Sequence, residues 1–463
     1  MMDAPELHLD YDGGFIQTEP VELPGSKSMA ARALIISALA GNDISDIKDL
    51  PDCDDTRHMA EALRTLEAAA GPLPQRFKEG NPPPVHISVN LGLGGTTLRF
   101  FTALAASLPG VVTDIDCAPG LRGRPLSPLI DALEQAGAEI TFLEEKGKAP
   151  FTVKGSRPQG GRIRIDSSVS SQFISALMMV APYWRDGLHI DFNGIPPVSF
   201  PYISMTAEIM RLFQASVAAT VKCIDVHPGD YRKVNRCDVE PDWSCVSYFY
   251  ELSALMPGRE IHISRLTPPE MSVQGDSGCA GLFALLGVRT TYNPDGSATL
   301  LCNREVLDDL RESAKPLALD MESMPDLVPA LAVTLSLCGI KFEFSGIAHL
   351  RVKESNRLAA LVNELGKLGY ILEEGSDSLC WSGAVSSPEN VIDGYSHKYA
   401  HECAVIDTYG DHRIAMAFGP AAAALPSGIT LRDPSVTDKS FPSYFTQVGR
   451  LGLIGSTPSI SHK

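Results

Sequence analysis

Short apolar runs that end in glycine, proline or small polar residues alternate along the chain with helical segments. Each helical segment carries Ser, Thr, Asp, Lys or Arg in its first turn. Six such junctions are VELPGSKS before MAARALIISALAG, LGLGGTTLR before FFTALAASL, IRIDSSVSSQ before FISALMMVA, DMESMPD before LVPALAVTL, LRVKESNR before LAALVNEL, and DTYGDHR before IAMAFGPAAAAL. Because strand-like and helix-like segments alternate without a fixed period, the pattern predicts an α/β protein of repeated β–α units and disfavours a solenoid.

The starts of these helices indicate anion binding. A first helical turn has unpaired N–H groups and the positive end of the helix dipole. Here the turns also carry basic residues, namely Lys27, Arg32, Arg99, Lys353, Arg357 and Arg413. A cation at this position opposes the dipole unless an anion joins it. One such residue would be an ordinary cap or surface side chain, but the recurrence in both halves of the chain predicts a site for small anions.

Length and charge limit the classes of protein to which the chain can belong. With 463 residues the chain exceeds what one hydrophobic core usually organises, so we expect two domains. The net charge of −17 argues against a nucleic-acid partner, because proteins that bind nucleic acid present a basic face. The ten cysteines show neither C-x-x-C nor zinc-ligand spacing, so buried free thiols and no structural metal are expected.

The N-terminal sequence MMDAPELHLDYDGG is acidic and has no apolar core of a signal peptide. The most apolar stretches, 327–340 and 414–425, contain Pro or Gly and are shorter than the roughly 20 residues of a membrane span. We therefore expect a cytoplasmic protein with no membrane association.

Ten short motifs follow one another from residue 24 to residue 445. They are PGSKSMAARAL (24–34), CDDTRHM (53–59), GGTTLR (94–99), RGRPL (122–126), SSVSSQF (167–173), SFPYI (199–203), MPD (324–326), LRVKESNRL (350–358), YGDHRIAMA (409–417) and DKSFPSYF (438–445). Each motif alone is a weak signal. In this order they resemble the enolpyruvyl transferases, and within that family the branch that acts on shikimate-3-phosphate.

The resemblance implies an α/β fold of two globular domains, each built from repeated βαβαββ units with helix N-termini facing an interdomain cleft. One domain would span 25–240, and the other would combine 1–24 with 241–463. The implied reaction transfers the enolpyruvyl group of phosphoenolpyruvate to the 5-hydroxyl of shikimate-3-phosphate and releases phosphate. The expected partners are these two small molecules, without cofactor or metal, and we expect a monomer.

The resemblance also assigns the binding residues. Those for phosphoenolpyruvate are Lys27, Arg124 and Lys439 at its phosphate, Arg357 and Arg413 at its carboxylate, and the backbone of Gly95. Those for shikimate-3-phosphate are Ser28 and Arg32 at its carboxylate, Ser170, Ser171, Ser199, Lys353 and His349 at its phosphate, and Gln172 and Tyr202 along its ring. Arginine forks match carboxylates and phosphates, whereas lysine supplies a point charge. Ser170 and Ser171 also fit a phosphate-binding helix start on sequence grounds alone.

Proton transfer needs groups of another kind. By resemblance, Asp326 is the base at the sugar hydroxyl, and Glu354 is the acid/base at the methylene carbon, with Lys27 and His412 as further participants. If 353–357 is helical, Lys353 and Arg357 are i,i+4 neighbours beside Glu354. Nearby cations would lower the pKa of Glu354 and burial would raise it, and the sequence leaves open which effect is larger.

Some positions depart from the family pattern. Leu93 and Ala31 stand where Asn is common, Gly410 precedes Asp411 where Asn is frequent, and His349 replaces an Asn that holds the sugar phosphate. His349 could still donate a hydrogen bond to that phosphate.

Two alternatives remain at this point. The sister transferase that acts on UDP-N-acetylglucosamine has Asn where this chain has Ser28, and a reactive Cys where this chain has Pro119, two residues beyond Cys117. The other alternative is a catalytically silent anion-binding homologue, against which the intact Lys27, Asp326 and Glu354 argue.

Overall fold

The computed structural model describes residues 5–14, 17–79, 82–124, 126–166, 170–386 and 403–456. Contacts group the chain into two compact units. Unit one comprises residues 1–24, 241–272 and 276–463, and unit two comprises residues 25–240 and 273–275.

The α-helices and β-strands of the described residues have the following bounds. The helices are α1 (Lys27–Ala40), α2 (Asp54–Ala70), α3 (Leu73–Lys78), α4 (Gly95–Ser107), α5 (Pro119–Arg122), α6 (Ser127–Gln135), α7 (Ser171–Val180), α8 (Phe200–Leu212), α9 (Trp243–Leu255), α10 (Cys279–Leu285), α11 (Arg304–Glu312), α12 (Val328–Leu337), α13 (Arg357–Lys367), α14 (His412–Phe418) and α15 (Tyr444–Gly449). The strands are β1 (Glu6–Tyr11), β2 (Ile47–Lys48), β3 (Val85–Asn90), β4 (Val111–Asp116), β5 (Glu139–Phe142), β6 (Phe151–Lys154), β7 (Gly161–Arg162), β8 (Leu188–Asp191), β9 (Val217–Ala219), β10 (Cys223–Val226), β11 (Cys237–Asp238), β12 (Glu260–Ile263), β13 (Val288–Tyr292), β14 (Ala298–Cys302), β15 (Leu317–Asp320), β16 (Phe342–Ser345), β17 (Glu373–Glu374), β18 (Ser378–Trp381), β19 (Ala404–Asp407), β20 (Ile429–Arg432) and β21 (Leu453–Ser456).

Three four-stranded sheets share one topology. In unit two, the sheet β3-β4-β6-β5 has a parallel first pair and antiparallel pairs after it. Helix α4 connects β3 to β4, and α6 precedes the hairpin of β5 and β6, so the chain reads βαβαββ. The same strand order recurs as β7-β8-β10-β9 in unit two and as β15-β16-β18-β17 in unit one. The predicted repetition of βαβαββ units is therefore confirmed in both units.

A further sheet of unit one joins strands that are far apart in sequence. Its order is β19-β20-β1-β21, with β1 antiparallel to both neighbours. Glu6 lies opposite Arg432, and His8 lies opposite Ser456. Strand β1, the first of the described strands, is thus hydrogen-bonded on its two edges to the last two, β20 and β21.

Each unit has central helices that are buried nearly all round. Every residue of α12 is buried, and the buried residues of α1 run from Met29 to Ala40. Helices that are apolar on every side belong at the centre of a domain. Helix α1 ends at Ala40 and is capped by Gly41, whose φ of +76° allows its N–H to bond back to the last turn.

Residues 273–275 belong to unit two, whereas the family resemblance implied that they are part of the other domain. The Val273 N–H donates to Glu240 Oε1 at 3.0 Å, and Gln274 Nε2 donates to Glu240 Oε2 at 2.9 Å. A Cβ at Gly275 would lie 2.2 Å from Cβ of Pro201, so this backbone packs directly on α8. For all other residues, the expected division into one domain of residues 25–240 and another of residues 1–24 with 241–463 stays a prediction.

All ten cysteines lie in the described part of the chain and are free thiols, seven of them buried. No helix among the described residues has both the length and the apolar character that crossing a bilayer requires.

Helix α9 contains a buried carboxyl group. Glu251 has no exposed surface, and neither carboxylate oxygen has a hydrogen-bond partner among the described residues. Burial raises the pKa of Glu251 well above its ordinary range, so the folded protein keeps this group neutral. The group therefore destabilises the fold, because its polar atoms lose their hydration without gaining a hydrogen bond.

We expect Glu251→Leu to raise the free energy of unfolding by about 1–3 kcal/mol near pH 4, where the glutamate is mostly neutral in both the folded and the unfolded chain. Because its folded-state pKa is raised, the wild-type protein loses stability as the pH rises above the unfolded-state pKa of this carboxyl group. The loss is about 1.4 kcal/mol per pH unit until the folded-state pKa is reached. The gain should therefore grow with pH, as urea unfolding at several pH values would measure. Glu251→Gln is the control, because it removes the ionisation but keeps polar atoms. A leucine variant that is no more stable at alkaline pH would refute this account.

Candidate active site

Helix α1 of unit two begins at Lys27 and is capped by Ser26. The Ser26 hydroxyl accepts a hydrogen bond from the Met29 N–H at 3.4 Å. Lys27 Nζ lies 3.0 Å from Oδ2 of Asp55, and the two side chains are only 17% and 8% exposed. Asp55 thus offsets the positive charge that Lys27 adds to the N-terminal end of the helix dipole.

Arg32 is a buried cation whose described hydrogen bonds all go to neutral groups. Its Nε donates to Thr206 Oγ1 at 2.7 Å, and its Nη1 donates to the Ser28 carbonyl at 2.7 Å. Its Nη2 donates to Ser175 Oγ at 3.2 Å and to the Tyr202 carbonyl at 3.1 Å. Burial lowers the pKa of Arg32 to about 10, so the guanidinium stays charged at neutral pH. A positive charge beside Ser28 favours the predicted carboxylate contact, which remains a prediction.

Two guanidinium groups converge on the start of α4. A Cβ at Gly95 would lie 2.7 Å from Nη1 of Arg124 and 3.0 Å from Nη1 of Arg99, so glycine leaves the space that both groups use. Arg99 Nη1 donates to Gln172 Oε1 at 2.5 Å. Burial and then the charge of Arg124 lower the pKa of Arg99 to about 9. Because neighbouring guanidinium groups repel each other, this arrangement favours an anion.

The first turns of α7 and α8 carry the remaining predicted residues of unit two. Ser170 caps α7, and its hydroxyl accepts from the Gln172 N–H at 3.3 Å, while Ser171 is buried. Ser199 caps α8 with φ of +54°, a left-handed conformation that is uncommon for a residue with a side chain. Tyr202 lies in the first turn of α8. The structure brings these residues to two helix starts, where hydroxyl and N–H groups can bind a phosphate.

In unit one, a buried network links two arginines and two carboxylates. Asp326, in the short turn Pro325–Leu327 before α12, accepts from Arg357 Nη1 at 2.8 Å and from Arg413 Nη2 at 2.6 Å. Arg357 Nε also donates to Asp411 Oδ2 at 2.8 Å, and Asp411 caps α14. Burial alone would raise the pKa of Asp326, but Arg413 and Arg357 outweigh it and hold the pKa far below its ordinary range. Asp326 is therefore ionised, and it orients both arginines.

Glu354 lies between an imidazole and an ammonium group. Its Oε2 is 2.7 Å from His412 Nδ1, and its Oε1 is 2.6 Å from Lys439 Nζ. Glu354, His412 and Lys439 are 14%, 3% and 10% exposed. A largely desolvated carboxylate between two groups that can hold a proton suits acid–base chemistry. The structure thus brings three predicted residues together, and their catalytic roles remain predictions.

The expectation that Lys353 and Arg357 share a helix is wrong. Helix α13 begins at Arg357, and the Asn356 side chain caps it. Lys353 follows the short turn Ala348–Val352 and precedes the cap. Asn356 sets the start because its side chain satisfies an otherwise unpaired N–H of the first turn. The groups that pair with Glu354 come instead from α14, which supplies the His412 imidazole, and from the turn that ends at Lys439.

His349 is neutral. It is 8% exposed, and burial, with a smaller contribution from Lys353, lowers its pKa to about 4. Its buried Nε2 has no hydrogen-bond partner among the described residues. A neutral imidazole can offer one donor and one acceptor. The predicted contact with a sugar phosphate remains a prediction, and it would be a hydrogen bond without charge.

Sequence reasoning missed four polar residues of these networks. Asp55 and Asp411 lie within the motifs CDDTRHM and YGDHRIAMA, where an Asp in a first turn or at an N-cap was the available signal. Ser244 and Asp276 lie outside every motif. Arg413 Nη2 donates to Ser244 Oγ at 3.4 Å, and Ser244 Oγ donates to Asp276 Oδ2. These partners are far apart in sequence, so local pattern gives no sign of them.

Among the described residues, one group of side chains has a spacing that could hold a metal ion. Ligand atoms of Glu354, Asp411 and His412 lie within 4.8 Å of one another. However, Lys439 pairs with Glu354 and Arg357 pairs with Asp411. Both carboxylates are thus already compensated by cations, and a metal ion would have to displace them.

Solved structures with this fold include enolpyruvyl transferases. EPSP synthase from Acinetobacter baumannii matches with a TM-score of 0.70 and 18% identity, covering 97% of this chain and 99% of that chain. An enolpyruvyl transferase from Streptomyces tendae matches with a TM-score of 0.65 and 14% identity, covering 98% and 99%. At these identities the likeness establishes the fold alone, which is the α/β fold of enolpyruvyl transferases.

Sequence comparison identifies the family. A model of EPSP synthase (3-phosphoshikimate 1-carboxyvinyltransferase) matches residues 14–448. The 3-phosphoshikimate 1-carboxyvinyltransferase of Bacteroides fragilis is 37% identical over 436 residues, which cover 94% of this chain and 95% of that protein. The enzyme of the same name from a Sulfurovum species is 34% identical over 434 residues, covering 92% and 94%. This chain therefore belongs to the EPSP synthase family, and the resemblance of its motifs is confirmed.

Proposed function

We propose that the chain transfers the enolpyruvyl group of phosphoenolpyruvate to the 5-hydroxyl of shikimate-3-phosphate and releases phosphate. The observation that carries this proposal beyond family membership is the buried network in which Asp326 is held by Arg357 and Arg413. Two guanidinium groups that share one carboxylate of the protein can accept a substrate carboxylate by the same bidentate chemistry.

The phosphate of phosphoenolpyruvate binds Lys27, Arg124 and Lys439 in this proposal. The space at Gly95 supports a close approach of the substrate, because a Cβ there would collide with the Arg124 guanidinium. The Arg124 Nε is buried and has no hydrogen-bond partner among the described residues, so a bound anion would satisfy it.

Shikimate-3-phosphate binds through hydroxyl groups and a second set of cations. Its phosphate meets the serines that start α7 and α8, together with Lys353 and His349. Its carboxylate meets Ser28 and Arg32, and its ring lies along Gln172 and Tyr202. The support is that these hydroxyl groups lie at helix starts, where N–H groups and the helix dipole favour an anion.

The chemical steps divide between the two carboxylates of unit one. Asp326 removes the proton of the 5-hydroxyl group while the 5-hydroxyl oxygen forms a bond to the central carbon of phosphoenolpyruvate. Glu354, supported by His412, Lys439 and Lys27, supplies a proton to the methylene carbon, which becomes a methyl group. Glu354 then takes back one methyl proton while the carbon–oxygen bond to phosphate breaks, which restores the double bond and releases phosphate. Fixed cations stabilise the charge that develops on the departing phosphate.

Phosphate release is the direct test of this function. The purified chain should liberate phosphate only when both substrates are present, and the organic product should gain the mass of the enolpyruvyl group. Phosphate release from phosphoenolpyruvate alone, or none with both substrates, would refute the proposal.

The surroundings of Cys117 argue against the alternative that the chain acts on UDP-N-acetylglucosamine. This thiol is 1% exposed, and burial, followed by the charge of Asp116, raises its pKa to about 11. A buried thiol that stays protonated is a poor nucleophile. Pro119, at the position of the reactive Cys in that family, begins α5.

That the chain acts as a monomer in the cytoplasm remains a prediction.

Arg124→Ala should weaken phosphoenolpyruvate binding far more than shikimate-3-phosphate binding. Loss of a charged hydrogen bond to a phosphate costs about 1.5–3 kcal/mol, which corresponds to a rise in KM for phosphoenolpyruvate of about tenfold or more. Steady-state kinetics with each substrate varied in turn would measure this. Arg122→Ala is the control, because Arg122 is two residues away and pairs with Asp116 instead. Equal losses for both substrates would contradict the assignment.

A further inference from the structure

A serine and an aspartate link Arg413 to a part of unit one that the proposed chemistry does not use. Asp276 is 3% exposed and lies in the turn Gly275–Gly278 before α10. Its Oδ2 accepts a hydrogen bond from Ser244 Oγ, and Ser244 Oγ accepts one from Arg413 Nη2 at 3.4 Å. The same Nη2 donates to Asp326 Oδ2 at 2.6 Å. One nitrogen of Arg413 therefore bonds to the proposed base and to the Ser244–Asp276 pair.

The direction of these hydrogen bonds is determined by their chemistry. A guanidinium group only donates, so Ser244 must accept from Arg413 through a lone pair. The Ser244 hydroxyl hydrogen is then directed to the carboxylate of Asp276, which can accept it. Asp276 thus fixes the rotation of the hydroxyl group, and the hydroxyl group offers its lone pair to Arg413.

The site keeps Asp276 despite an unfavourable electrostatic environment. Burial and then the charge of Asp326 raise the pKa of Asp276 above its ordinary range, and Arg413 and Ser244 act in the opposite direction. Asp242, at the N-cap of α9, also raises it, and the buried thiol of Cys279 lies nearby. A second carboxyl group buried beside Asp326 costs stability. Residues that break a general rule in this way are expected at functional sites.

We propose that Ser244 and Asp276 are positioning residues that hold the Arg413 guanidinium in place for the carboxylate of phosphoenolpyruvate. This rests on the proposed function for the identity of the ligand. Asp326 alone would hold Arg413 poorly, because in the proposed reaction Asp326 receives a proton and its hydrogen bonds to the guanidinium then change. The Ser244–Asp276 pair gives Arg413 a second anchor that takes no part in proton transfer, and such supporting bonds keep a binding group in its productive geometry.

Kinetics of Ser244→Ala and Asp276→Ala test the proposal, because each change removes one member of the hydrogen-bonded pair. Each variant should raise the KM for phosphoenolpyruvate about tenfold, the usual effect of losing a hydrogen bond to a charged group. The KM for shikimate-3-phosphate should change by less than about twofold. The double variant should be little worse than either single variant, because both changes break one chain of bonds. Ser244→Thr keeps the hydroxyl group and should restore a KM near that of the wild type.

Ser253→Ala is the matched control. Ser253 lies on the same helix α9 and is fully buried, but its hydroxyl has no hydrogen-bond partner among the described residues. This variant should keep both KM values. A general loss of packing would lower the folded fraction or kcat for any of these variants, whereas loss of positioning raises one KM. Unchanged KM for phosphoenolpyruvate in folded Ser244→Ala, or equal rises for both substrates, would overturn the proposal.

A chemical readout separates this proposal from the proposed function. Phenylglyoxal modifies arginine side chains, and peptide mass spectrometry can follow its reaction at Arg413. The reaction should be about threefold faster or more in Ser244→Ala than in Ser253→Ala, because the guanidinium has lost an anchor. If the wild type released no phosphate but this difference held, the proposed function would fail and the positioning pair would stand. Equal modification rates would overturn the pair whatever the activity.

Discussion

Asp326→Asn is expected to lower kcat by about 100- to 10,000-fold, the range that a positioned general base contributes. Asparagine preserves the shape of the side chain but cannot accept a proton from the sugar hydroxyl. Asp326→Ala should also abolish turnover, but it leaves Arg357 and Arg413 without a shared carboxylate, so asparagine is the cleaner change. Phosphate release at saturating concentrations of both substrates measures the effect.

Asp320→Asn provides the control for this experiment. Asp320 lies at the end of β15 in the same unit and is exposed, where its carboxylate accepts from the Glu322 N–H at 3.0 Å. Its replacement should leave kcat within about twofold of the wild type, because surface substitutions are nearly neutral. A rate within tenfold of the wild type in Asp326→Asn would remove Asp326 from proton transfer.

The environment of Asp326 also predicts an order of events. A carboxylate whose pKa is held far below its ordinary range is a weak base. When a substrate carboxylate binds Arg357 and Arg413, it takes part of the positive charge that stabilises ionised Asp326. The proton affinity of Asp326 should then rise. We therefore expect phosphoenolpyruvate binding to precede or accompany removal of the hydroxyl proton.

Arg357→Met should destabilise the protein by about 3–5 kcal/mol, the usual cost of removing one partner from a buried ion pair. Arg357 is 2% exposed and pairs with both Asp326 and Asp411. Methionine fills much of the space but leaves Asp411, which has no exposed side-chain surface, without this counter-charge. Urea unfolding near neutral pH measures the loss, and activity should fall with it.

The pH dependence of this loss has a definite sign. Burial would raise the pKa of Asp411, but the charge of Arg357 outweighs it and lowers the pKa, as it does for Asp326. Such groups contribute stability that is present above their unfolded-state pKa and is lost as the pH falls through the folded-state pKa. The difference between wild type and Arg357→Met should therefore persist from neutral pH down to about pH 4 and should shrink as the pH falls below that value.

Arg432→Met is the matched control for Arg357→Met. Arg432 also bridges two carboxylates, Glu6 and Asp407, but its side chain is 44% exposed. Exposed ion pairs contribute about 0–1 kcal/mol, so this variant should lose little stability. Similar losses in the two variants would show that burial does not determine the effect.

Local sequence signals predicted the repeated β–α architecture and most helix starts. Lys27, Gly95 and Ser171 begin α1, α4 and α7, each after a strand-like run that ends in small polar residues. These signals suffice because an N-cap and the first apolar turn act within four residues. The same reasoning failed at Lys353, where Asn356 starts the helix one turn later.

Long-range electrostatics could not be predicted from the sequence. The motifs indicated that Glu354 has acid–base chemistry, but its partners His412 and Lys439 are brought to it only by the fold. The neutral hydrogen-bond partners of Arg32 likewise result from packing, since Thr206 and Ser175 lie on other helices. Sequence therefore predicts which residue types a site needs, and the fold determines which of them share a proton or a charge.

Strand β1 has a consequence for synthesis in the cell. Its neighbours β20 and β21 lie more than 400 residues later in the chain. At about 5–20 residues per second, a ribosome needs roughly 20–90 s to deliver them. During that interval β1 has two unsatisfied edges, and a free edge can pair with another nascent chain. We expect chaperone engagement to centre on this segment while residues 25–240 are already complete.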